Sequence, residues 1–204
     1  DSFWQILLPG IRVTIPLTLV SFSLGLIIAL LTAMVQVANI PVVKQIARIY
    51  VWIIRGTPLL VQLFVIFYGL PSVGIILDAI PSAIIVFSFN TGAYASETVR
   101  AAIEAVPVGQ IEAGYCVGMN YLQIMGRIVL PQALRNMVPA LLSQFVTTIK
   151  DTSYLWGAMA LQELMGRGMI LMNSYNSTTQ IFAIFALMAL LYFIVCFTLS
   201  QAVR

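Results

Sequence analysis

"GQIEAGYCVGMNYLQIMGRIVLP", Gly109 to Pro131, separates two strongly apolar stretches and belongs to neither. Pro107, just before it, cannot continue a helix without clashing with the carbonyl four residues back. Val108 to Val117 is helix-compatible, and Gly118 suits a C-terminal cap. Asn120 followed by Gln123 has the spacing of a capping box, with Asn in place of Ser or Thr. Pro131 then suits the first turn of a further helix. Two short helices set at an angle follow from these local rules. Ala113, Gly114 and Gly118 carry little side chain, so another protein surface could approach closely. A helix resting on lipid headgroups would need an apolar face opposite a basic one. Between Val108 and Met125 there is no Lys or Arg, so the loop reads as a docking element for protein.

The surrounding chain is 61% hydrophobic and only 8% charged, with a mean hydropathy of +1.01. A soluble domain carries about 25% charged residues and could not cover this much apolar surface. The fold class is therefore an all-α membrane protein forming a single transmembrane domain over residues 1–204. Five apolar runs, 11–37, 50–70, 81–105, 132–165 and 179–203, each reach the ~20 residues that cross a hydrocarbon core of ~30 Å. Helices are the only plausible spanning elements, because lipid offers no partner to unpaired backbone. The second run is interrupted by Pro58 and the fourth by Lys150-Asp151-Thr152-Ser153. Residues 106–131 form the loop between spans three and four. Asp1 stands where an initiator Met would, so the native N-terminus is expected to lie beyond it, and no cleavable leader pattern precedes the first span.

Charge placement orients the chain. Lys44, Arg48, Arg55, Arg100, Arg127, Arg135 and Arg204 fall on the side of the quoted loop, and Arg12, Lys150 and Arg167 on or near the other. The positive-inside rule puts the loop and the C-terminus in the cytoplasm and the N-terminus outside. Trp4, Tyr50, Trp52 and Trp156 suit interfacial aromatic belts. Cys116 and Cys196 lie in different segments and suggest neither a disulfide framework nor a metal site. With no His at all, His-ligated metals and a Ser-His-Asp triad are excluded. No nucleic-acid partner is expected.

Glu112-Ala113-Gly114, Gly118, Ile128 and Leu130-Pro131 resemble the EAA loop of permease subunits in bacterial ATP-binding-cassette (ABC) importers. That pattern is Glu-Ala-Ala, three residues, Gly, nine residues, Ile-x-Leu-Pro, and the spacing matches throughout, with Gly114 where Ala is usual. The resemblance extends over "RGTPLLVQLFVIFYGLP" from Arg55, "NTGAYASETVRAAIEAVPVGQIEA" from Asn90 and "LPQALRNMVPALLSQFVTTIKDTS" from Leu130. These are similar to the polar-amino-acid uptake branch, with cystine-type permeases nearest. It implies the five-helix type I importer fold with a cytoplasmic coupling helix. It also implies that Gly109, Glu112, Ala113, Gly114, Gly118, Ile128, Leu130 and Pro131 meet an ABC ATPase subunit, present in two copies. The implied partners further include a second permease chain, identical or related, and an extracytoplasmic solute-binding protein met by the outer loops Pro71–Pro81 and Gly166–Ser177. The bilayer would be the bacterial inner membrane, and the cargo a polar amino acid, with cystine, glutamine and basic amino acids as candidates.

Within the spans, Asn90, Tyr94 and Glu97 are spaced i, i+4, i+7 and share a helical face. An amide, a phenol and a carboxylate at membrane depth could meet a zwitterionic substrate or could hydrogen-bond between helices. Glu97 has a further reading as an ion pair with Arg100 near the helix end. Lys150, Asp151, Thr152 and Ser153 are open to two readings, a Lys–Asp pair near the outer interface or a helix break that helps build a gate or cavity. Gln162 and Glu163 could contact substrate or the binding protein, or simply be solvated.

The chain has no G-x-x-x-x-G-K-[ST] sequence and cannot itself supply the usual phosphate-binding loop. It is therefore not expected to be an enzyme: ATP and Mg belong on the partner ATPase. The alternative reading is an ion-coupled secondary transporter or channel, which predicts buried paired carboxylates and leaves the quoted loop without a purpose.

Overall fold

The computed structural model describes residues 2–37 and 41–201. Among these residues the chain is helical, with no strand. Helix α1 (Ser2–Pro9) runs through a π-helical turn, Gly10–Thr14, into α2 (Ile15–Val37). The wider turn comes just ahead of Pro16, which has no N–H to give to the helical ladder. The first span expected at 11–37 thus belongs to a continuous helix reaching back to Phe3, 35 residues long.

The segment expected to span at 50–70 is divided. Helix α3 (Pro41–Gly56) ends before Thr57-Pro58, and α4 (Leu59–Phe64) restarts beyond it, continued by a π-helical turn Val65–Gly69 and a 3-10 turn Leu70–Val73. The two arms meet at 105°. Pro58 has extended backbone, φ −63° and ψ 138°, which no helix can continue through. Helix α5 (Ala79–Glu104) follows. Helices α6 (Val108–Cys116) and α7 (Tyr121–Ile124) form the loop, and a π-helical turn Met125–Val129 leads into α8 (Leu130–Asp151). The run 132–165 is broken after Asp151 into α9 (Tyr154–Met159) and, beyond a left-handed Ala160, α10 (Leu164–Met172). Most of the expected outer loop Gly166–Ser177 is therefore helical. The chain closes with α11 (Thr178–Gln201).

Among the described residues, the Phe3–Val37 helix and α11 combine the length and hydropathy needed to cross a membrane, and the bent α3–α4 pair passes if taken as one span. Helices α5 and α8, with 26 and 22 residues, rise ~39 and ~33 Å at 1.5 Å per residue. Both carry polar side chains that lower their hydropathy.

The centre of the fold is the packing of α2 on α5. The two run parallel, with Gly25 against Thr91 and Ala33 clustered with Val99 and Ala102. Helix α2 turns a stripe of buried small residues, Ser21, Gly25, Ala29 and Ala33, toward α5, which answers with Ser88, Gly92, Ala95 and Ser96. A Cβ at Gly25 would stand 2.6 Å from Thr91 Cβ, and one at Gly92 would stand 2.6 Å from Ile28 Cγ2 and 2.8 Å from Tyr50 Oη. No side chain fits either place. Lipid tails are as apolar as leucine, so association depends on such close approach. Helix α3 is stitched on where Tyr50 Oη donates to the Phe89 carbonyl (2.5 Å). Helix α8 runs antiparallel to α5, with Ala133 and Met137 against Val99 and Ala102.

Replacing Gly92 by Leu is expected to separate α2 from α5 and cost about 1–3 kcal/mol or more, as overpacking does. Thermal unfolding of the purified chain in detergent checks this. An unchanged melting temperature would mean that the seam is not close-packed.

Candidate functional site

A cavity of about 1020 Å³ runs between α5, α8 and the α3–α4 bend. Asn90, Tyr94, Glu97, Thr98 and Arg100 come from α5, Ser143, Gln144, Thr147, Thr148 and Asp151 from α8, and Arg55, Thr57 and Leu59 from the bend. Along α5 the polar lining covers ~15 Å from Asn90 to Arg100.

Charge is concentrated at the end nearer the loop. Glu97 accepts from Arg100 at 2.8 Å and lies 3.8 Å from the Arg55 guanidinium, which also sits 5.3 Å over the Tyr94 ring. Arg100 holds Glu104 as well, at 2.6 Å. The ion pair expected between Glu97 and Arg100 is therefore present, and Glu97 lines the cavity at the same time.

Behind the cavity wall, the α3–α4 break is organised by Gln62. Its Nε2 reaches back across the helix break to the Ile54 carbonyl (2.8 Å), the Thr57 carbonyl (3.1 Å) and Thr57 Oγ1 (3.0 Å). Thr57 Oγ1 donates to the Ile53 carbonyl (2.8 Å). Gln62 Oε1 accepts from Asn90 Nδ2 at 3.2 Å. The carbonyls orphaned where Pro58 stops α3 are thus satisfied by a side chain from α4, and that side chain is tied to the cavity wall. Across the cleft, Gln144 Nε2 donates to the Thr91 carbonyl at 3.4 Å.

The expected residues separate into groups. Asn90, Tyr94, Glu97 and Asp151 share the cavity. Lys150 and Ser153 point elsewhere, into a groove of about 360 Å³ with Met165, Phe185 and Tyr192. Thr152 is fully buried and donates to the Ile149 carbonyl (2.7 Å). Among the described residues, Lys150 and Asp151 form no ion pair, because consecutive residues on a helix face different ways. Gln162 lines a separate depression with Trp4, Arg12 and Arg167. Glu163 requires a correction. It neither lines the cavity nor meets solvent: it is 0% exposed. Its carboxylate caps α10, accepting from the Met165 and Gly166 N–H groups at 2.8 Å each, and from Tyr192 Oη at 3.1 Å. An anion at the positive end of a helix explains that burial.

The polar face of α8 and the role of Gln62 escape the sequence reading above. Gln144, Thr147, Thr148 and Asp151 fall at i, i+3, i+4, i+7, a signal present in the chain. Gln62 carries only the weaker hint of a lone amide in an apolar run.

The loop is built as its local rules require. Gly118 has φ +80°, and its N–H donates to Tyr115 O at 3.0 Å while Met119 N–H donates to Gly114 O at 3.0 Å. Asn120 and Gln123 complete a reciprocal capping box, with both bonds 2.9 Å. One expectation changes. Gly114 is buried, and a Cβ there would lie 2.8 Å from Ile124 Cγ1 and 3.2 Å from Ile128 Cδ1. Its small size lets α7 and the π-helical turn close on α6, and it offers no surface to a partner. Ile128 is likewise part of this inner contact. Glu112, Ala113, Gly109 and Gly118 are exposed. Val106, Ile124 and Val129 form a core beneath the loop, and Gln132 donates to Gln110 across it. The loop is thereby fixed to the end of α5 and the start of α8, the two helices that line the cavity.

Residues 22–204 match the family described as the binding-protein-dependent transport system inner membrane component. The chain belongs to this family. The permease is 46% identical over 200 residues to the L-cystine transport system permease protein TcyB of Bacillus subtilis, covering 98% of this chain and 84% of that one. It is 37% identical to the probable glutamine ABC transporter permease protein GlnP of the same organism, over 96% of this chain and 89% of that one. In three dimensions it is similar to a crystal structure of an amino acid ABC transporter with histidines, with a TM-score of 0.89, 30% identity and coverage of 97% and 91% of the two chains. An inward-facing structure of the MetNI methionine ABC transporter follows at a TM-score of 0.74, 25% identity and 98% and 95% coverage. The permease is thus an all-α, multi-pass membrane protein with the type I ABC-importer fold, among the polar-amino-acid permeases.

Gln62→Leu conserves volume and removes the staple across the bend. The permease is expected to lose about 1–3 kcal/mol of stability. The distance distribution between spin labels at exposed Trp52 and Tyr68 should broaden. An unchanged distribution would show that Pro58 holds the angle without Gln62.

Proposed function

We propose that this permease carries a polar amino acid into the cytoplasm by ATP-driven alternating access, with L-cystine the foremost candidate. The observation that carries the reading is mechanical. The loop has its own small core and is continuous with α5 and α8, so a force applied to it moves both walls of the cavity together.

In this reading Glu112 and Ala113 meet a separate ATPase subunit, which binds ATP and Mg, while Gly109 leaves room beside them. Gly118, Leu130 and Pro131 shape the loop, and Gly114 and Ile128 support it from within. Asn90, Tyr94, Glu97 and Asp151 serve the substrate pathway, joined by Arg55 and Gln144. A guanidinium and a carboxylate at one end suit the two charges of an amino acid, and the Asp151 carboxylate toward the other suits a second ammonium group. Cystine has that chemistry, and the 46% relative named for L-cystine supports it. Two permease chains would enclose the pathway with two ATPase subunits below and a solute-binding protein outside. The loop and the C-terminus would lie in the cytoplasm and the N-terminus outside, as the positive-inside rule requires. Residues 1–204 act as one transmembrane domain, with α5, α8, α11, the Phe3–Val37 helix and the bent α3–α4 pair as its membrane elements.

Reconstituted in vesicles, labelled cystine uptake is expected to need the ATPase, ATP and the binding protein together. Uptake driven by a proton or sodium gradient without them would sink the importer reading in favour of an ion-coupled one. The loop's role has a separate probe. Gly118 is a poor choice, since a bulky residue with left-handed backbone is strained by about 1–2 kcal/mol on its own. Glu112 is exposed, and Glu112→Arg is expected to leave the permease folded while abolishing substrate-stimulated ATP hydrolysis. Normal stimulation in that variant would remove the loop from the coupling path.

A further inference from the structure

One face of α3 is basic: Lys44, Arg48 and Arg55 recur at i, i+4 and i+11. With Gln36 of α2 and Glu97, Arg100 and Glu104 of α5, they line a groove of about 250 Å³ in which the two carboxylates are held by Arg55 and Arg100. Arg100 is committed to Glu97 and Glu104, and Arg55 lies beside Glu97. Lys44 and Arg48 make no ion pair among the described residues, so their charge is left uncompensated at the groove. Gln36 is only 5% exposed and its side chain is hydrogen-bonded with the Glu97 carboxylate, which leaves Lys44 and Arg48, among the described residues, as the free polar groups of the groove.

The surroundings identify the kind of ligand. The other face of α3 exposes Val42, Ile46 and Ile53, while Trp52, 65% exposed, stands at the border and also lines the groove. A helix basic on one face and apolar on the other lies at the depth of lipid headgroups. The groove stands at the end of α2 and α5 that leads into the loop, where the chain leaves the hydrocarbon. Basic pockets between helices at that depth attract anionic headgroups.

We propose that this groove binds an anionic phosphodiester, supplied by a phospholipid of the leaflet on the loop side. Lys44 and Arg48 take the phosphate, and the acyl chains lie along Trp52 and Ile53. Naming that leaflet cytoplasmic rests on the orientation proposed above; the binding itself does not.

The test is native mass spectrometry of the delipidated, assembled transporter, titrated with phosphatidylglycerol, phosphatidylcholine and soluble glycerophosphoglycerol. Phosphatidylglycerol is expected to bind saturably, one per permease chain, with phosphatidylcholine and the soluble headgroup far weaker. Neutralising both Lys44→Gln and Arg48→Gln should weaken it about 30-fold, and Arg48→Gln alone about 5-fold. The exchange Lys44→Arg with Arg48→Lys should bind as the original does. Equal retention of the two lipids, or undiminished binding in the exposed-residue variant Arg48→Gln, would overturn the site. Glycerophosphoglycerol competing at the same concentration as lipid would overturn the membrane as its source. No transport is read in this assay, so its failure leaves the importer reading untouched.

Discussion

In a bilayer, apolar side chains gain nothing by leaving lipid for one another, so helices are held by how closely their backbones can approach. Here that approach is made along α2 and α5, where Gly25 and Gly92 leave no room even for a methyl group. The remaining architecture is referenced to this seam. Helix α3 reaches it through the Tyr50 hydroxyl on the Phe89 carbonyl, and α8 leans on it through Ala133 and Met137. Because α5 is locked on one side, its opposite face can carry Asn90, Tyr94 and Glu97 into open space without collapsing. The cavity exists because one of its walls is anchored from behind.

The second constraint is backbone satisfaction at the α3–α4 break. A proline in extended geometry frees carbonyls at membrane depth, which is tolerated only where protein or a watery cavity meets them. Gln62 meets them with one amide nitrogen and passes its oxygen to Asn90. The 105° bend and the polar lining of the cavity are therefore linked by hydrogen bonds through Gln62 and Asn90. The fixed loop works from the other end. Its core ties α5 and α8 together where they leave the membrane, so a displacement there is shared by both cavity walls. Local rigidity at two points turns an otherwise slender bundle into a body that can move in defined pieces.

Much of this is legible in the amino-acid sequence. Hydropathy and charge identified an all-α membrane protein, and the loop's left-handed Gly118 and its capping box follow from rules spanning four residues or fewer. The Asn90–Tyr94–Glu97 face followed from helical period. Glu163 was misplaced because a carboxylate beside a loop reads as solvated. Only the fold reveals that α11 covers it and supplies Tyr192. Gly114 was assigned to a partner for a similar reason: smallness is visible in sequence, but whether it faces outward or inward depends on where α7 packs. The four-residue cluster at Lys150 was read as a unit, and helix geometry sent its members in different directions.

The sequence by itself determined what depends on composition and short spacing: the solvent of the protein, the helical class, and a stiff polar loop between two apolar stretches with the EAA pattern. The tertiary structure alone decided which distant groups meet. Gln62 joins Asn90 across 28 residues and Gln144 joins Thr91 across 53. Such pairs leave no periodic trace, because each partner satisfies its own helix's pattern whether or not the other is present. Their meeting is set by the angle and depth at which whole helices pack, and that is fixed by the close approach of α2 and α5 at Gly25 and Gly92.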